Sequence, residues 1–206
     1  MGYRHYVGYI PKKDLPEILK EVEELKAKIG QPKENDPKDV YGEYDVTRFM
    51  RGKAIKLLDL GKLYLESQQG IYDLLYKNKT EDFSNEDTEF FLINDDKFLY
   101  NLSVECQKIW TNCLKEYKDT LKKSINSDKV DMNTKCDLLE IYELFDNEIR
   151  ELETAIEFNK IAEEENSKFR DSAPYNQWQY NYVAVEYFLK HKEFDYENNQ
   201  LCIFAY

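Results

Sequence analysis

Both ends of the chain alternate in a way that the long stretch between them does not. At the start, Tyr3, His5, Val7 and Tyr9 alternate with Arg4, Tyr6, Gly8 and Ile10. A period of two rich in aromatics predicts a strand over 3–10, stopped by Pro11. At the other end, Asn198-Asn199 reads as a turn before a second aromatic strand, 201–206. A strand leaves its backbone donors and acceptors open until a neighbour takes them, so the two ends are expected to pair, alone or with a third segment. A lone hairpin is marginal in water, which requires helices behind it.

The interior supplies them. Leu15, Ile18, Leu19, Val22, Leu25 and Ile29 form an apolar stripe after Asp14, with Pro16 and Glu17 in a capping-box-like arrangement and Gly30 as the stop. Residues 30–47, with Pro32, Asn35, Asp36 and Pro37, read as a surface loop. A second helix is expected over about 50–66 and a short one around Ile71, Leu74 and Leu75, before a polar loop at 77–89. Phe90–Ile93 is an apolar run of undecided type. A helix to about Ile125 carries Leu99, Leu102, Cys106, Ile109 and Cys113, and the turn INSDKVDMN follows.

The longest helix is expected from Thr134 to Phe169, with Leu138, Ile141, Phe145, Ile149, Leu152 and Ile156 as a heptad-like seam. The segment NQWQYNYVAVEYFLKH is apolar all round, as in a central buried helix. The expected fold is therefore α+β and predominantly helical. It is an antiparallel bundle over residues 14–190 with a small sheet pairing the terminal strands, all in one domain, 1–206.

Composition narrows function. With 29 basic and 41 acidic residues the net charge is −12, which repels nucleic acid except at a local basic patch and favours a basic protein surface. The four cysteines lack a CxxC pair, and with only His5 and His191 no standard zinc site can be written; reduced thiols in a cytoplasm are expected. No apolar run reaches the roughly 20 residues of a membrane span. Tyr6 stands where a myristoylation signal wants Ser or Thr. Phosphate-loop, dinucleotide, nucleophile-elbow and HExxH motifs are all missing, and no cofactor or metal is expected.

Three sets of residues carry the functional alternatives. The long helix is acidic, with Glu140, Glu143, Glu151, Glu157, Glu163 and Glu164 on a face that suits a basic partner, although a solvated face is the plainer reading. Against the net charge stands RFMRGKAIK, where Arg48, Arg51, Lys53 and Lys56 are candidates for RNA backbone contact. His5, among tyrosines, is a candidate for acid–base work, its plainer reading being a ring bonded to the backbone. Asp128, Asp131, Asn133, Asp137 and Glu140 lack the glycine and spacing of an EF-hand and read as a capped turn before a helix.

An opening such as GYRHYVGYIPK and a close such as W-x-Y-x-Y with FDYENNQLCIFAY resemble small uncharacterised acidic proteins of phages and Bacteroidota-type bacteria. That group includes inhibitors of bacterial defence of the anti-CRISPR type. The resemblance implies a non-enzymatic protein in the cytoplasm of a bacterial host. It would bind a basic nucleic-acid-binding effector, blocking or misdirecting a CRISPR effector nuclease, and meet guide RNA through that partner. The alternatives are an RNA-binding accessory protein using the 48–56 patch and an enzyme centred on His5.

Overall fold

The structure, a computed structural model, describes residues 4–63, 69–146 and 178–205. Contacts divide the chain into two compact units, Met1–Phe98 with Phe194–Tyr206, and Leu99–Glu193.

The first unit is organised by a sheet. Strand β1 (His5–Pro11) is followed by helix α1 (Leu15–Lys26), the short hairpin β2 (Pro32–Lys33) and β3 (Asp36–Val40), and helix α2 (Glu43–Lys53). Strand β4 (Ile55–Asp59), helix α3 (Gln69–Lys77), β5 (Lys79–Asp82) and β6 (Glu89–Ile93) come next, and the last strand, β7 (Asn199–Ala205), returns from the far end of the chain. The sheet order is β4-β1-β7-β6-β5, with every pair antiparallel. The terminal strands pair as the alternation predicts, from His5 opposite Ala205 to Pro11 opposite Asn199.

That pairing is the core of a larger sheet than two strands. Leu201 to Ala205 are all buried, so both faces are covered, which is what an unbroken apolar run in a strand implies. On one face Tyr6, Phe204 and Phe90 lie directly opposite one another across three strands. Tyr6 stacks on Phe204 at 5.3 Å between ring centroids. Ile18 and Val22 of α1, one turn apart, and Val46 and Met50 of α2 pack onto this ladder. On the other face the Tyr76 ring of α3 meets Phe91 at 5.3 Å.

Gly8 is fixed by this crowding. A Cβ there would meet the Phe204 ring at 2.7 Å and the Ile55 carbonyl oxygen at 2.9 Å, closer than any side-chain carbon sits. The β1–β4 register shifts between Val7 and Gly8. The absent side chain lets β4 approach.

Several local expectations are corrected. Of the helix expected over about 50–66, residues 50–53 end α2, 55–59 form the edge strand β4 and 60–62 a 3-10 turn, while 64–66 lie outside the described residues; pairing with β1 outweighs a spacing of Ile55 and Leu58 that either structure accommodates. Residues 30–47 hold a hairpin and the first turn of α2 rather than a loop alone. Phe90–Ile93 lies in β6, and β5 lies in the expected loop at 77–89. Helix α1 ends sooner than predicted, at Lys26, and Asp14 makes no side-chain cap bond. Gly30, with φ of 84°, supports the turn that follows. Mixed α and β structure is present as expected, but the first unit is built on five strands, not on helix pairs.

The second unit contains helices α4 (Phe98–Ile125), α5 (Met132–Asp146) and α6 (Trp178–Glu193). Asp131 caps α5: its carboxylate accepts from the Thr134 amide at 3.1 Å and from the Thr134 hydroxyl at 2.6 Å. The acidic turn is thus a helix start. Lys118 of α4 lies 5.5 Å from the Tyr142 ring of α5, and Tyr100 of α4 meets Phe188 of α6 at 6.3 Å. Helix α6 is one-sided where its side chains are described. Val183, Ala184, Tyr187 and Phe188 are buried while Leu189 is exposed, which corrects the all-round burial expected of it. The seam residues Ile149, Leu152 and Ile156 lie outside the described residues.

All four cysteines are free. Cys106 and Cys202 are buried, and burial raises both thiols, keeping them protonated. No helix among the described residues is long and apolar enough to cross a membrane.

Candidate functional site

The three predicted sets occupy three different settings. Of the acidic set, Glu140 is exposed on α5 and Glu143 belongs to the same helix. Glu151, Glu157, Glu163 and Glu164 lie outside the described residues. Helix α5 turns Lys135, Leu138 and Tyr142 partly inward. Its exposed side carries something composition alone does not show. Met132, Cys136 and Leu139, spaced i, i+4 and i+7, lie on one stripe, and all three are exposed, Met132 by 74% and Leu139 by 43%. Glu140 borders this apolar ridge and Asp137 lies beyond it, both exposed.

The basic set is divided by the fold. Residues Asp45, Arg48, Phe49, Gly52 and Lys53 recur at helical spacing on one side of α2 and, with Leu25 and Tyr41, line a cleft of about 500 Å³. Lys56 lies instead on β4, where it is held by Asp59 at 3.7 Å and sits 4.0 Å from the Tyr6 ring. Arg51 is half-buried and does not line the cleft. Lys53 and Lys56 therefore sit on different elements with different partners, because the helix ends between them.

Within the cleft the charges are unequally committed. Asp45 accepts from the Gly42 amide at 2.8 Å and from Lys33 at 3.0 Å. Burial pushes its carboxyl up, but these bonds and the nearby Arg48 outweigh it and hold the group below the usual carboxylate range. Lys53 pairs with Glu21 at 3.2 Å and lies 4.7 Å from the Phe49 ring. Arg48 is exposed and makes no ion pair among the described residues.

His5 has found a partner that the sequence hides. Its Nε2 lies 3.2 Å from Oε2 of Glu89, 84 positions away, and the same oxygen accepts from the Tyr76 hydroxyl at 2.8 Å. His5 and Glu89 both oppose Ala205 across the central strand, whose small side chain leaves room for them to meet. Burial would raise the Glu89 carboxyl, but hydrogen bonds from His5 and Tyr76 reverse this and keep it ionised below its ordinary range. Burial and Glu89 raise the Tyr76 phenol, which stays protonated. The histidine is thus bonded to a side chain from a neighbouring strand pair.

A histidine, a carboxylate and a phenol in contact are the parts of an acid–base relay. Here both bonds converge on one carboxylate oxygen. The geometry is that of a cross-strand tie. Glu89 and Tyr76 were missed because nothing in a single sequence links positions so far apart. The cleft residues were legible in principle, since 45, 48, 49, 52 and 53 show helical spacing once α2 is begun at 43.

No group of three or more His, Cys, Asp or Glu side chains suited to a metal occurs among the described residues. No family model matches the chain, and no curated protein or solved structure matches it.

Proposed function

We propose that the protein is a non-enzymatic inhibitor, carried by a phage or mobile element, that binds a basic nucleic-acid-handling effector of its bacterial host. The observation that carries this reading is the exposed ridge Met132–Cys136–Leu139 on an acidic helix. Isolated surface hydrophobes need no explanation, but an apolar stripe beside carboxylates has the make-up of an interface. The apolar side chains supply burial at roughly 25 cal/mol per Å². The carboxylates supply steering and select a partner of opposite sign. A surface built to hold nucleic acid meets both demands, and the net charge of −12 extends the attraction beyond contact range. The resemblance of the chain ends to small acidic phage proteins agrees with this assignment and points to a CRISPR effector nuclease as the target.

The test is inhibition of target cleavage by such an effector, with capture of the effector by tagged protein as the binding readout. Met132→Ser with Leu139→Ser is expected to lose capture and inhibition together. Full inhibition by that double variant would remove the ridge from the account. Failure of the native protein to inhibit any effector of its host would remove the function.

A further inference from the structure

The geometry points to a second binding site, in the cleft between α1 and α2, for a nucleotide: an aromatic base carrying phosphate. The cleft volume of about 500 Å³ falls in the range of small-ligand sites. Its floor is Leu25, Tyr41 and Phe49, and cations stand against both rings. Lys28 and Lys33 lie 5.8 and 5.6 Å from the Tyr41 ring and Lys53 lies 4.7 Å from Phe49. Aromatic faces interleaved with cations are what single-stranded nucleic acid recognition uses, the ring for the base and the cation for the phosphate.

The charge ledger of the cleft selects an anion. Lys33 is neutralised by Asp45 and Asp39, and Lys53 by Glu21. Arg48 and Lys28 make no ion pair among the described residues, and both are exposed. Arg48 presents a planar fork suited to phosphate oxygens. It stands on the lining of a partly apolar cleft in a protein of net charge −12.

Gly52 provides an independent sign. It lies in the last turn of α2, and a Cβ built on it meets nothing within 4 Å. Packing therefore does not require the glycine. What its missing side chain does is keep the wall of the cleft open. A larger residue there fills the site without straining the fold, and that separates loss of binding from loss of structure.

The probes are AMP and a short fluorescent single-stranded oligoribonucleotide, titrated at about 50 mM salt. Both are expected to bind if the site takes free nucleotide, and only the oligomer if neighbouring nucleotides are needed; either result supports the site. Gly52→Leu is expected to weaken binding about tenfold or more while melting at or above the native temperature. Arg48→Ala is expected to lower the salt slope of the affinity by about one unit. Binding of neither probe overturns the proposal. So does undiminished binding by both variants, or displacement of the oligomer by polyglutamate at equal charge, which would mark the cleft as a site for acidic peptide.

Discussion

Glu89 in the sheet unit and Asp137 on α5 carry the same charge in opposite settings. Glu89 sits beside the central strand with His5 and Tyr76 bonded to one of its oxygens, and those bonds hold it ionised against burial. Asp137 is exposed on a helix that also exposes Met132 and Leu139. The difference separates groups that hold the fold from groups offered outward. A polar cluster whose donors and acceptors meet one another has its hydrogen-bonding capacity turned inward. An exposed carboxylate on the same helix as an exposed apolar stripe leaves both kinds of group facing solvent.

The comparison breaks first in the sheet. Gly8→Val forces a side chain into the Phe204 ring and the Ile55 carbonyl and is expected to cost about 3 kcal/mol or more, or to prevent folding. Thermal melting measures it, and a native melting temperature would refute the close packing of β1 against β4. Phe204→Ala removes the middle ring of the Tyr6–Phe204–Phe90 ladder and is expected to cost about 3–5 kcal/mol by urea unfolding.

The next effect belongs to the inward-facing cluster itself. Glu89→Gln is expected to cost about 1–3 kcal/mol at pH 7, since His5 and Tyr76 keep a partner but lose its charge. The sign of the pH dependence follows from the lowered carboxyl. Its contribution is full above the ordinary glutamate value of 4.5 and is lost as pH falls through the folded value below it. Urea midpoints taken downward from pH 6 are expected to fall less steeply for Glu89→Gln than for the native chain. Equal slopes would show that Glu89 titrates as a solvated carboxylate. The smallest stability effect is expected on α5, where Met132→Ser with Leu139→Ser lowers the unfolding free energy by less than about 0.5 kcal/mol per site.

What was legible in the sequence follows the same division. The terminal strands were readable because alternation and the Leu201–Ala205 run encode burial locally, and their mutual pairing follows from having no other strand partner in view. Helix α1 was readable from its apolar stripe, though not from its cap, since Asp14 makes no cap bond, and the turn before α5 was readable from its capping residues. Strand β4 was not, because its identity depends on β1, which is distant in sequence. The His5–Glu89–Tyr76 tie needed three elements to be placed before its members could meet. The basic residues 48–56 look continuous in a line of text, yet a helix end between Lys53 and Lys56 puts them on different elements with different partners. The ridge on α5 was hidden by a reading that followed the Leu138 stripe inward and left the outward side to charge alone.

The outward side of α5 is the proposed contact with a basic partner. Reversing Asp137→Lys and Glu140→Lys together, and titrating the protein against the captured effector, tests this directly. The expected result is a loss of affinity of about tenfold or more, strongest at low salt, with the unfolding midpoint unchanged. Native affinity from the reversed helix would contradict the claim.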